Sequence, residues 1–245
     1  MNQTCLFAGP SLYAFQGDIS PIDRFGPIAM GGLFRAVESG YTRVGIVDGM
    51  FGNVPSVWHK EILFALSEGV QVVGAASMGA LRAVELAGLG MHGLGRIYRM
   101  FRCGAWTDDD EVAVLHAPAE LGYRPLSDAM ANIRFTLRRL ARGPWIGRDL
   151  EVSLVAAMKA KHFSVRTREA LRGEARRLTG ATAVGLMEAY DQHYVDAKAL
   201  DAAMLVDYLS RPPPPARSGP VPAFLRTSHW RRQFEDAIAD IPPLR

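Results

Sequence analysis

Val72-Val73-Gly74-Ala75-Ala76-Ser77-Met78-Gly79-Ala80-Leu81-Arg82 passes from an apolar β-branched run, through small residues and a serine, into an alanine- and leucine-rich helix. A strand that turns sharply into a helix projects the residue at the turn, and the N–H groups of the helix start favour negative charge there. The usual nucleophile elbow reads Gly-x-Ser-x-Gly; here Ala75 stands in place of the first glycine and is small enough for close approach. Ser77 is therefore a candidate nucleophile, with the backbone at Met78 and Gly79 as candidate oxyanion donors. A plainer role is also open, in which Ser77 only caps the helix.

Working outward, the first 120 or so residues alternate strand and helix signals. Thr4–Ala8, Arg43–Val47 and Val70–Ala75 read as short apolar strands. Pro27–Glu38, Val57–Ser67 and Met78–Ala87 read as helices, with Ser56 as an N-cap and Gly40 and Gly69 as stops. Such alternation predicts βαβ units around a parallel sheet whose strands are covered on both faces. In open α/β sheets function gathers beyond the carboxyl ends of the strands, and those ends carry Ser11, Asp48 and Ser77.

A serine needs a base within hydrogen-bond reach. Ser56-Val-Trp-His-Lys-Glu-Ile-Leu63 offers two. His59 is the default by side-chain chemistry. Lys60 works as a base only after losing its proton, which burial or a helix N-terminus favours. Adjacent helical residues point about 100° apart, so the two are not expected to serve one atom. Asp48-Gly49 and Gly9-Pro10-Ser11 read first as turns, and more sharply as orienting groups. Asp108-Asp-Asp-Glu111 is either a carboxylate cluster for a metal or a helix cap with solvated charge. Histidine at ligand spacing is lacking, so no metal is assigned. The glycine-rich Gly90–Gly95 does not follow a clean strand and is not read as a phosphate loop.

The second half is helical. Leu126, Met130, Ile133, Leu137 and Leu140 follow amphipathic spacing, with Arg134, Arg138 and Arg142 on the opposite face. Those arginines are either solvated or a docking surface. Glu151–Lys161, Thr167–Leu178, Val184–Tyr194 and Asp196–Leu209 also read as helices. Four prolines from Pro212 end helical structure. Pro212–Val221 is expected as an extended linker, and Ala223–Ile238 as a last helix or a tail. Three segments result: an α/β core over 1–122, a helical part over 123–210, and a linker with tail over 211–245.

A net charge of +3 over 245 residues gives no global basic field, so nucleic acid is not an expected partner. Cys5 and Cys103 form no ligand pair, and neither a signal peptide nor an apolar run of membrane-spanning length is apparent. A cytoplasmic, membrane-free protein without a cofactor is expected.

Several stretches together resemble the TfuA family: Phe7–Leu12, Asp48-Gly-Met-Phe51, Val57–Leu63, Gly74–Arg82, Glu85-Leu86, Gly90-Met91, Gly93–Tyr98 and Asp109–Ala113. They lie in order over residues 5–115, and the helical half matches more loosely. The resemblance implies an unusual, family-specific fold in place of a simple doubly wound sheet, while the α/β core and the all-helical part that follows are read from the residue patterns above. It implies an accessory protein of YcaO enzymes, which activate a backbone amide of a precursor peptide for thioamidation. It further implies release of sulfide from a thiocarboxylated, ubiquitin-like carrier of the ThiS type, and help for YcaO in engaging its peptide. The family's hydrolase-like site pairs a serine with a lysine, which here are Ser77 and Lys60. Asp48, His59, Glu61, Arg82 and Ser11 are then supporting or substrate-orienting candidates. Two rival readings stand beside this one. A non-catalytic adaptor would scaffold YcaO and its peptide. A small-molecule serine esterase or amidase fits less well, because the elbow lacks its first glycine and no downstream Asp and His follow in the usual order.

Overall fold

In the computed structural model, residues 3–20, 22–50, 54–213, 223–236 and Leu244 are described. Strands β1 (Thr4–Phe7), β2 (Asp23–Phe25), β3 (Arg43–Ile46), β4 (Gln71–Gly74) and β5 (His92–Gly93) form one sheet in the order β2-β1-β3-β4-β5. Every pairing is parallel. The three strands expected from sequence are its centre. Strands β2 and β5 were not expected, since neither a polar three-residue run nor a glycine-bearing pair carries a strand pattern.

Alternation along β1 sets the two faces. Cys5 and Phe7 join Val44, Ile46 and Val72 beneath helices α1 (Gly32–Glu38), α2 (His59–Ser67) and α3 (Met78–Glu85), through Leu33, Ala36, Ile62, Ala65, Ala83 and Leu86. Leu6, Ala8, Val47, Val73 and Ala75 face the other way, against Ala202, Leu205, Val206 and Leu209 of α9 (Ala197–Ser210). Gly45 leaves the room α9 needs, because a Cβ there would meet Leu209 at 2.5 Å. Two polar side chains fix α9. Arg43 is buried and donates to the carbonyls of Leu209 (2.9 Å), Arg211 (2.7 Å) and Tyr208 (3.0 Å), satisfying the end of the helix. Asp201 accepts from Arg96 N–H (2.9 Å) and Ile97 N–H (2.8 Å), capping α4 (Gly95–Arg102).

Helix boundaries shift for local reasons. The helix expected from Pro27 starts at Gly32, because Ile28 pairs with Gly49 and Gly31 turns at φ 87°. The helix expected from Val57 starts at His59 with Trp58 at the N-cap. Ser56 instead accepts from Arg82 Nη2 at 3.3 Å.

The chain divides into two compact units, Met1–Ala105 with Ala199–Arg245, and Trp106–Lys198. From Ala199 onward α9 belongs to the first unit, its apolar stripe packed on the sheet. The second unit contains α5 (Met130–Arg142), α6 (Arg148–Lys159), α7 (Arg168–Thr179) and α8 (Ala183–Gln192) around Ile133, Leu137, Leu154, Leu171 and Tyr190. Of the arginine face, Arg134 makes two bonds of 2.8 Å to buried Glu111, and Arg138 lies 3.4 Å from Glu151. Those two are thus engaged within the unit, while Arg142 is exposed. The expected proline-rich linker lies outside the described residues beyond Pro213. Within 223–236 helical structure is confined to α10 (Ser228–Trp230) and one wider turn over Arg231–Glu235. Among the described residues no helix is long and apolar enough to cross a membrane.

Candidate active site

Each of α1, α2 and α3 follows a parallel strand, so their N-termini share the edge of the sheet where the strands end. On that edge β1 delivers Ser11, β3 delivers Asp48 and β4 delivers Ser77.

The turn after β4 is tight. Ala76 takes φ 64°, a left-handed value that costs a residue with a side chain of order 1 kcal/mol or more. The turned residue is thus Ala76, one place before the serine. Ser77 is 2% exposed and opens α3 through its carbonyl, which accepts from Ala80 N–H at 2.9 Å. Its hydroxyl makes no capping bond, so the plain helix-cap role does not account for it. Gly79 is required by packing: a Cβ there would meet the Ile46 carbonyl oxygen at 1.7 Å. The Gly79 N–H donates to Val47 O at 3.1 Å and so is already committed. Of the two candidate oxyanion donors, this leaves Met78.

Asp48 is buried, and its carboxylate is bound from the loop after β1. Gly9 N–H and Ser11 N–H donate to Oδ2, each at 2.9 Å, and the Ser11 hydroxyl donates to Oδ1 at 2.7 Å. Next to Asp48, Gly49 packs on Met78, where an added Cβ would meet the Met78 side chain at 2.7 Å. The Val47–Gly79 bond lies on the other side. Ser11, Asp48 and Ser77 are therefore gathered at neighbouring strand ends, as their positions in the sequence predict.

The head of α2 is arranged around Glu61. Its buried carboxylate accepts from Gly31 N–H (2.9 Å) and Phe34 N–H (3.4 Å) at the start of α1, and from Trp58 N–H (3.0 Å) at its own helix start. Burial pushes its pKa up to about 7, against the lowering effect of those N–H donors. Glu61 thus ties two helix starts together. The Trp58-x-x-Glu61 spacing, a glutamate at the third helical position, is the sequence signal for the bond at the head of α2.

His59 and Arg82 belong to one surface network. His59 Nε2 lies 2.8 Å from Glu85 Oε2, and Arg82 Nη1 donates to the same oxygen at 2.7 Å. Arg82 also donates to Val57 O at 3.2 Å. Glu85 lies eight residues, about 12 Å, along α3 from Ser77, so its partner His59 is drawn away from the serine.

Lys60 Nζ donates to Thr227 Oγ1 at 2.9 Å and lies 5.7 Å from the Phe224 ring centre. Among the described residues no hydrogen bond joins Lys60 to Ser77; the lysine's partner comes from the C-terminal segment. That partner was missed in the sequence; Thr227 is of a residue type favoured at N-caps, and Trp230 N–H does donate to Thr227 Oγ1 at 3.2 Å.

In the second unit Asp108, Asp110 and Glu111 converge, as a metal cluster would. Their charge is met by side chains: Lys159 Nζ bridges all three, Arg166 bonds Asp110 at 2.5 Å, and Arg134 holds Glu111.

Residues 48–167 match the model of a family described as TfuA-like protein. The matched span contains Asp48, His59, Lys60, Glu61, Ser77, Met78, Gly79 and Arg82, and leaves Ser11 and the C-terminal segment outside. No curated protein matches the chain.

Proposed function

The match over residues 48–167 supports assignment of the chain to the TfuA family, and from that premise we propose that it is an accessory protein of YcaO-dependent backbone thioamidation that hydrolyses a thiocarboxylated ThiS-type carrier. The observation that carries the reading is the Ser77 turn: a buried hydroxyl at the end of β4, at the start of a helix it does not cap, beside the Ser11–Asp48 pair.

The chemistry follows the acyl-transfer pattern. Ser77 Oγ attacks the thiocarboxylate carbon while the neutral Lys60 amine takes its proton. Negative charge on the former carbonyl oxygen is met by the Met78 N–H at the head of α3. The carbon–sulfur bond breaks, the lysine passes the proton to sulfur, and hydrosulfide leaves. Water then attacks the seryl ester with Lys60 as base, the proton returns to Ser77 Oγ, and the carrier departs as a carboxylate. Released hydrosulfide is the nucleophile that YcaO needs at the activated amide of its precursor peptide.

The test is hydrosulfide release from a thiocarboxylated carrier without any YcaO present. Ser77→Ala should abolish it while the circular dichroism of the folded protein is unchanged. Equal release by wild type and Ser77→Ala would refute the mechanism, and no release by either would favour the non-catalytic adaptor.

A further inference from the structure

One stripe of α2 is covered by the C-terminal segment along its whole length. Lys60, Phe64 and Glu68 follow at four-residue steps and so lie on one helix face. Lys60 meets Thr227, and Phe64 packs on Phe224 and Trp230 with ring centres 5.5 and 5.2 Å apart. Arg226 reaches Glu68 at 3.1 Å and lies over the Phe64 ring at 5.4 Å. At the helix head Trp58 stacks on His229, with ring centres 5.8 Å apart and planes 16° from parallel. The segment is anchored by Trp230 and Phe234, both buried against Phe34 and Phe64.

The anchors are apolar, and what the segment offers Lys60 is a single hydroxyl. A hydroxyl oxygen 2.9 Å from a lysine nitrogen is the arrangement a serine–lysine pair requires. Here the hydroxyl is that of Thr227. It is 167 residues away in sequence and is itself occupied as the N-cap of α10.

We propose that residues 223–236 form an autoinhibitory latch: Thr227 holds the Lys60 amine away from Ser77, and lifting the segment frees the base. This rests on Lys60 being the base of the proposed reaction. Coupling release of the lysine to displacement of the segment by an incoming protein raises hydrosulfide production in the assembled complex above the slow release of the free protein, so that less of a freely diffusing nucleophile is wasted.

The full chain carries four lysines, Lys60, Lys159, Lys161 and Lys198, so timed acetylation with acetic anhydride, read by mass spectrometry, reports on each. Thr227→Val removes the hydroxyl and keeps the aromatic anchors. Lys60 should acetylate roughly fivefold faster relative to Lys161, the factor an ordinary hydrogen bond is worth. Hydrosulfide release should rise with it, and Thr227→Ser should behave as wild type. Unchanged acetylation of Lys60 in Thr227→Val overturns the latch. So does faster acetylation with unchanged or slower release, in preparations whose wild type is active. If neither protein releases hydrosulfide, the proposed function fails, while the acetylation rates still decide whether the segment shields Lys60.

Discussion

The Ser11 hydroxyl donates to Asp48 Oδ1 at 2.7 Å across 37 residues of sequence, joining the ends of β1 and β3 inside the protein. Because Gly9 N–H and Ser11 N–H donate to the same carboxylate, Asp48→Ala strands three buried donors at once. Each such group costs about 1–3 kcal/mol. Asp48→Ala should therefore lower unfolding free energy in urea by at least roughly 3 kcal/mol, and Asp48→Asn by clearly less, since an amide oxygen keeps part of these bonds. A loss below 1 kcal/mol for alanine would mean that the carboxylate is held for catalysis at little structural benefit.

The two candidate bases separate by mutation. Lys60→Ala should reduce hydrosulfide release nearly as far as Ser77→Ala, and Lys60→Arg should not restore it, because a guanidinium stays protonated. His59→Ala should cost much less, since His59 is paired with Glu85 toward the surface. A deep loss in His59→Ala with an active Lys60→Ala would transfer the role to the histidine.

The strain at Ala76 is open to direct measurement. Ala76→Val places a β-branched side chain at φ 64° in a fully buried turn and should destabilise by about 2 kcal/mol or more. Ala76→Gly relieves the same strain and should stay within about 1 kcal/mol of wild type. Equal effects of the two in thermal unfolding would remove the case for a strained turn.

Glu61 gives stability a pH dependence of known sign. Its pKa is raised from 4.5 to about 7 in the folded protein, chiefly by burial. Between those values the folded chain binds more protons than the unfolded one, so stability falls as pH rises. The contribution is fully present below pH 4.5 and lost above about 7, with a magnitude of roughly 3 kcal/mol. Urea titrations across this range should show a shallower fall for Glu61→Gln than for wild type; identical slopes would count against the carboxyl group as the source.

What the sequence discloses here follows from how far each signal reaches. The central strands, the Ser77 turn and the grouping of Ser11, Asp48 and Ser77 are legible because each depends on neighbours within a few residues and on the rule that sites collect at strand ends. Strands β2 and β5 are illegible because pairing partners, not their own residues, make them strands. The partner of Lys60 and the α1 partners of Glu61 lie in distant segments, and no local pattern announces that Thr227 or the head of α1 will arrive there. The arginines of α5 looked like an outward face, and only the positions of Glu111 and Glu151 show two of them engaged.

Helix α9 closes the second face of the sheet from a position more than a hundred residues beyond β5, with its Asp201 capping α4 and Arg43 holding its end. On the ribosome, the sheet therefore waits with one apolar side open while the whole of Trp106–Lys198 is synthesised. At about 5–20 residues per second that interval lasts several seconds or more, ample time for the inserted helices to settle first. The nascent chain consequently completes its sheet-bearing unit last, and during those seconds the open sheet face is a target for chaperone binding.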